Sequence, residues 1–271
     1  MIKIDNVEVF GWEAAIRGMR NPLNSWDKGD TTYCYNYGND CEGCPALDWE
    51  DVCSVFTEGN ITAPVIVGEN DLKLMKTLSK AGNDHGKFLR MINVTLDITA
   101  PLYWWKEFDT YKVGTVANSC STMHKIHSKE FKIEDFSCEY LMSSDDVECE
   151  FYGKEEDGEI YLPYYKIKTI SPLENLKQIV DTLNFFRNRY LVTATKPMKD
   201  ESKRQELMKK YWWQMIQLLP SSYNQKRTVQ LNYQVLKAMY FARKNHKLAE
   251  WRKFCEWVEN LPHAKELICN E

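Results

Sequence analysis

Residues 92–101, Ile-Asn-Val-Thr-Leu-Asp-Ile-Thr-Ala-Pro, hold the clearest strand in the chain. Ile92, Val94, Leu96, Ile98 and Ala100 alternate with Asn93, Thr95, Asp97 and Thr99. Successive side chains of a strand point to opposite faces, so this period of two describes a half-buried strand with its apolar face on a core. Pro101 has no N–H for a ladder and ends it. Upstream, Asp71 to Ala81 reads as a helix, with Asn70 placed to cap it, Leu72, Met75 and Leu78 on one face, and Gly82 as the stop. Downstream, Tyr103-Trp104-Trp105 reads as helical.

Further out, Ile2 and Ile4, then Val7 and Val9, suggest an edge strand, and a short helix around Glu13 to Met19 ends at Asn21-Pro22. Residues 27–68 are rich in Gly, Asp, Asn and Cys without a sustained period, and read as an irregular insertion. Residues 128–171 are acidic and irregular, with Asp157-Gly158 suggesting a hairpin. After Pro172 the chain reads as helical to its end. Leu173, Leu176, Ile179, Val180, Leu183 and Phe186 form an apolar stripe, and helices follow at about 201–219, 226–243 and 246–260.

With 271 residues, 44% hydrophobic and 27% charged, the chain has the composition of a globular domain able to bury a full core. A net charge of -4 argues against a general nucleic-acid footprint. No apolar run approaches the roughly 20 residues of a membrane helix, and the first residues lack a secretory pattern, so the expected location is the cytoplasm. Nine cysteines without a secretory signal do not suggest a disulfide framework. Cys34, Cys41, Cys44 and Cys53 could supply four thiolates to zinc, but there is no second tight pair beside Cys41-x-x-Cys44, and reduced cysteines in a loop are the preferred reading.

Residues 111–124, Tyr-Lys-Val-Gly-Thr-Val-Ala-Asn-Ser-Cys-Ser-Thr-Met-His, are the candidate functional centre. Small hydroxyls and an Asn after a buried strand can present donors to a phosphate or a ring edge. A capped turn leading into a helix uses the same residue types. Asn118-x-x-Ser121 resembles part of the signature of the flavin-dependent thymidylate synthases, the ThyX family. The resemblance extends to Ala100-Pro101, to His85, to Leu219-Pro220, to Asn232 and Arg243 at the two ends of a late helix, and to Ala249-Glu250-Trp251-Arg252. It covers about two-thirds of the chain.

That resemblance implies an α+β fold: a mixed, mostly antiparallel sheet flanked by helices, with a long helical C-terminal part, forming one domain over residues 1–271. It implies a homotetramer that binds FAD and a pyrimidine nucleotide. The family's reaction is methylation of dUMP to dTMP, with methylene-tetrahydrofolate and NADPH as co-substrates. Arg243 and Ser121 then correspond to catalytic positions. Tyr111, Ser121, Thr122 and Arg243 correspond to the substrate side, and His85, Asn118, Ser119, Asn232 and Gln234 to the flavin side. The departures are as specific. Tyr111-Lys112-Val113 stands where the family has Arg-His-Arg, Asn118-Ser119 where it has Asn-Glu, and Met123 and Ile216 at two further arginine positions. An arginine that grips a phosphate with two hydrogen bonds is not replaced by Met or Ile. A repurposed, non-catalytic nucleotide-binding protein is therefore the alternative, and a cysteine-metal module on residues 27–68 is a third reading. Arg243 also has a plain structural reading, as a cation at a helix C-terminus. Cys120 falls at a spacer position and reads as a buried or half-buried thiol.

Overall fold

A computed structural model describes residues 2–33, 65–143, 154–156, 159–161 and 171–270. Its contacts divide the chain into two compact units: residues 2–120 with 225–271, and residues 121–224.

The larger unit is built on a four-stranded sheet of order β1-β4-β8-β5. β1 (Lys3–Phe10), β4 (Asn93–Pro101), β5 (Val116–Ser119) and β8 (Asn224–Asn232) are its members. β1 pairs antiparallel with β4, from Lys3 opposite Thr99 to Phe10 opposite Asn93, with a register shift between Asp5 and Glu8 where Asn6 turns to φ 52°. β5 pairs antiparallel with β8, with Asn118 opposite Thr228 and Ser119 opposite Arg227. The alternation of β4 is as expected: Val94, Leu96, Ile98 and Ala100 are all buried.

The apolar face of the sheet packs with α1 (Trp12–Arg20), α2 (Glu69–Lys80), α3 (Leu102–Phe108), α7 (Tyr233–Arg243), α8 (Ala249–Glu259) and α9 (Ala264–Leu267) into one core. α2 begins two residues before the expected start, and Gly68 rather than Asn70 precedes it. Its first turn is instead served by Asp30, whose carboxylate accepts from the Asn70 and Asp71 N–H groups. A short two-stranded pair, β2 (Thr32–Tyr33) with β3 (Val65–Ile66), lies before α2.

Asp71 is fully buried against the buried Arg20, at 2.7 Å. Arg20 also donates to the Ser25 and Lys28 carbonyls, and Asp71 accepts from Thr31. Burial pushes the Asp71 carboxyl up, but hydrogen bonds from Thr31, Arg20 and Asp30 outweigh it and hold it below 3.8.

The smaller unit contains α4 (Thr122–Lys125), α5 (Pro172–Thr195) and α6 (Glu201–Leu218). Ser171 and Glu174 form a capping box at the start of α5, and Asp200 caps α6. β6 (Lys154–Glu156) pairs antiparallel with β7 (Glu159–Tyr161), on either side of the Asp157-Gly158 at which a hairpin was expected; those two residues lie outside the described ones. Leu176, Val180, Leu183 and Met215 pack with Ile126, Phe131 and Phe136 into this unit's own core.

The expectation of a continuous late helix is overturned. Residues 226–243, read as one helix, are half strand: β8 runs to Asn232 and α7 begins at Tyr233. Gln225, Val229 and Leu231 face inward from β8, while Lys226, Thr228 and Gln230 are exposed. Only two of the inward residues are strongly apolar, too few for the period to stand out.

Asp97 ties three strands together on the polar face of the sheet. It receives Lys226 Nζ at 2.8 Å, Thr228 Oγ1 at 2.6 Å and Asn6 Nδ2 at 2.8 Å. The Lys226, Thr228 and Asn6 hydrogen bonds hold its carboxyl down at about 2. A folded-state value below the unfolded one stabilises the fold above pH 3.8, by about 2 kcal/mol, and that stability is lost as pH falls toward 2. Asp97→Asn is therefore expected to lower the thermal midpoint at pH 7 and to flatten its dependence on pH between 4 and 2, as read by calorimetry. An unchanged acid limb would show that Asp97 is not held in this way.

Candidate functional site

The sheet's strand β8 passes into α7 without a loop. Asn232 is the hinge residue: its Oδ1 accepts from the Val235 N–H at 3.1 Å and caps the helix. The Tyr233 N–H donates to the Ile92 carbonyl, and the buried Tyr233 hydroxyl donates to the Pro262 carbonyl. α7 thus starts at a fixed point of the core. Its 11 residues carry Arg243 about 16 Å from Asn232, at about 1.5 Å per residue.

At the far end of α7 lies a cluster of polar and aromatic side chains. Arg243 Nε donates to the Tyr111 hydroxyl at 2.9 Å, and Nη1 donates to Glu107 Oε2 at 2.9 Å. The same Glu107 oxygen accepts from Trp251 Nε1 at 2.9 Å and faces His246 Nε2 at 3.3 Å. His246 Nδ1 accepts from the Leu248 N–H, which assigns the ring proton of neutral His246 to Nε2, facing Glu107. The guanidinium carbon sits 4.9 Å from the Trp251 ring centroid and 5.6 Å from that of Tyr111. The arginine and glutamate side chains stay 20% and 35% exposed, so both can meet a ligand.

At the near end of α7, Gln234 Nε2 donates to Asn83 Oδ1 at 3.0 Å, two residues from His85. His85 is exposed and opens a short 3-10 turn over Gly86–Arg90. Gly114, at φ 77°, brings the backbone against Asn232: a Cβ there would lie 3.0 Å from Asn232 Nδ2 and 3.1 Å from Val235 Cγ2. The next residue, Thr115, has a buried hydroxyl oxygen with no partner among the described residues. The loop from Tyr111 to Thr115 therefore runs along α7 from its Arg243 end to its Asn232 end.

These placements sort the residues expected from sequence. Tyr111 and Arg243 are in direct contact. Gln234 reaches the loop that carries His85, and Asn232 touches Gly114. Asn118 and Ser119 lie on the exposed edge strand β5, and as neighbours on a strand they project to opposite faces. No hydrogen bond orients either side chain among the described residues. Ser121 and Thr122 lie in the smaller unit, where Ser121 Oγ accepts from the His124 N–H and caps α4, as the capped-turn reading anticipated. Cys120 is exposed rather than buried, and it follows the last residue of the edge strand β5. Cys34, Cys41, Cys44 and Cys53 lie outside the described residues, and among the described residues there is no metal-binding group.

Glu107 escaped the sequence reading. A single Glu in a helical stretch resembles any solvated charge, and only its contact with Arg243, 136 residues away, gives it a role.

At the near end of α7, Asn232 Oδ1 is spent on the Val235 N–H and Gln234 Nε2 on Asn83, which leaves Asn232 Nδ2 and Gln234 Oε1, unpaired among the described residues, as a donor and an acceptor that would suit the edge of a flavin ring. The start of α7 fits a phosphate less well, since the Tyr233 and Val235 N–H groups already have acceptors. Lys226 and Arg227 are paired with Asp97 and Asp109.

No family model matches the sequence, and no curated protein matches it significantly. The fold does match solved structures. One is thymidylate synthase X from Helicobacter pylori with FAD and dUMP, at TM-score 0.53 and 12% identity, covering 99% of this chain and 97% of that one. A second structure of flavin-dependent ThyX from the same organism, complexed with FAD and dUMP, gives TM-score 0.51 at 12% identity over 98% and 97%. A UMP/dUMP methylase PolB from Streptomyces cacaoi bound with 5-Br dUMP gives TM-score 0.48 at 12% identity over 98% and 91%. The chain has the ThyX-like α+β fold, with an antiparallel four-stranded sheet flanked by helices. Among the described residues no helix is long and apolar enough to cross a membrane.

Gly114→Ala would force a Cβ onto Asn232 and Val235 in a backbone region that favours glycine. It is expected to cost about 1–3 kcal/mol of stability, measured by chemical denaturation. A variant as stable as the parent would show that the loop does not lie against α7.

Proposed function

We propose that the chain is a divergent member of the flavin-dependent thymidylate synthases that binds FAD and a pyrimidine deoxynucleotide and acts at position 5 of the ring. The observation that carries this reading is the end-to-end match of fold with a protein whose structure holds FAD and dUMP. The contact between Tyr111 and Arg243, two positions singled out in advance, supports it.

The flavin would supply hydride transfer, with methylene-tetrahydrofolate as carbon donor and NADPH as reductant. The chain's own residues would place the groups. His85, Asn232 and Gln234 serve the flavin side near the start of α7, and Asn118 and Ser119, on opposite faces of β5, are assigned to it on the resemblance alone. Arg243, fixed by Tyr111 and Glu107, presents a cation to the pyrimidine, where it favours charge that develops on the ring carbonyls. For Ser121 and Thr122 the assignment rests on the resemblance alone. Assembly as a homotetramer in the cytoplasm belongs to the same proposal.

One observation favours a second reading, a nucleotide-binding protein that does not make dTMP. The Arg243 charge is already matched by Glu107, while the arginine positions at Met123 and Ile216 offer no cation for a phosphate.

The test is optical and thermal. Purified protein, as isolated or after incubation with FAD, is expected to show flavin absorption bands. Adding dUMP is expected to raise its melting temperature, and Arg243→Ala to abolish that rise. Protein that stays colourless after FAD would sink the flavoenzyme reading, and a dUMP shift unchanged by Arg243→Ala would remove Arg243 from the site.

A further inference from the structure

The Arg243 cluster leaves a defined set of groups unused. Glu107 Oε2 accepts from Arg243 Nη1 and Trp251 Nε1 and has His246 Nε2 at 3.3 Å, and Oε1 takes no donor among the described residues. Arg243 spends Nε on Tyr111 and Nη1 on Glu107, and Nη2 has no partner among the described residues. The Tyr111 oxygen accepts from Arg243, so its own O–H remains a donor. One rigid acceptor thus stands beside two donors on a half-exposed surface. The carboxylate is anchored through one oxygen so that the other is fixed in place.

We propose that Glu107 is the specificity-determining residue of this site. Its free oxygen accepts an N–H from a neutral pyrimidine base while Arg243 Nη2 and the Tyr111 hydroxyl donate to that base's carbonyl or ring nitrogen. This rests on the reading of the chain as a pyrimidine-nucleotide protein and goes beyond it in naming what is read. A uracil edge offers carbonyls beside an N–H. A cytosine edge offers a carbonyl and a ring nitrogen beside an amino group. Both complement one acceptor and two donors. A phosphate complements neither, because it has no N–H for Glu107 and would bring negative charge against a carboxylate. Arg243 reads the base here, and Glu107 bars an anion from taking its place.

Glu107→Gln separates the two functions of the side chain. The amide carbonyl can stay where Oε2 sits and keep the Arg243, Trp251 and His246 contacts. The NH2 then replaces Oε1, turning the acceptor that faces the ligand into a donor. Calorimetric titration of FAD-loaded protein with 2′-deoxyuridine, 2′-deoxycytidine and inorganic phosphate reads the result, with thermal melting as the check on folding. The wild type is expected to bind at least one nucleoside and not phosphate at the same concentration. The variant, folded and still yellow, is expected to lose at least about tenfold in nucleoside affinity, since a required acceptor becomes a clashing donor. It is also expected to gain phosphate binding. The nucleoside that loses more identifies the edge being read. Equal nucleoside affinity in both proteins would overturn the inference, as would a flavin-loaded wild type that binds neither nucleoside. If the variant does not fold, Glu107→Asp withdraws the free oxygen by one methylene and is expected to show the same loss. Protein that takes up no FAD and no nucleoside would remove the proposed function, and the inference with it.

Discussion

Asn232 is the constraint on which the functional half of the structure depends. A strand and a helix meet there without a loop, so the sheet itself aims the helix. The cap on Val235, the Tyr233 N–H on Ile92 and the Tyr233 hydroxyl on Pro262 fix the start of α7 against the core. Such a cap stabilises a helix by about 1 kcal/mol. Here its larger effect is geometric. The helix carries its last residue, Arg243, to one place beside Trp251 and Tyr111, and its first residues to another beside Gly114 and Asn83.

The Arg243 end is held by charge and aromatic stacking together. An exposed ion pair contributes little, since solvent screens it and long side chains resist being fixed. This pair is half-buried, the guanidinium lies over two rings, and two further groups address the same carboxylate oxygen. Hydrogen bonds to a charged group are worth about 1.5–3 kcal/mol each. The cluster is therefore a rigid platform, and it leaves one carboxylate oxygen and one guanidinium nitrogen without a partner among the described residues, on side chains that stay partly exposed. The missing signature arginines and the carboxylate of Glu107 act in the same direction: the surface offers less to a phosphate and more to a neutral ring.

How much of this could be read from sequence varies with how local the signal is. β4 was legible because five apolar residues alternate without interruption. The capping role of Ser121 was legible because Ser is a common cap residue. The β8–α7 junction was not, because polar and basic residues at 225–228 mask its period and the cap at Asn232 looks like any helical Asn. Arg243 and Tyr111 were identified by position in a resemblance, and the structure places them together. Glu107 was invisible because its role comes from tertiary contact alone. That Asn118 and Ser119 project to opposite faces follows from their place on an edge strand, which four residues without an apolar alternation do not announce.

Glu107 and Arg243 hold each other in the folded protein, and a double-mutant cycle reads their coupling. The stabilities of the wild type, Glu107→Ala, Arg243→Ala and the double variant would be read by chemical denaturation. The geometry predicts a coupling of at least about 1 kcal/mol, with the double variant less destabilised than the sum of the two singles. Strict additivity would mean that the two side chains do not hold each other, and would contradict the account of how this site is built.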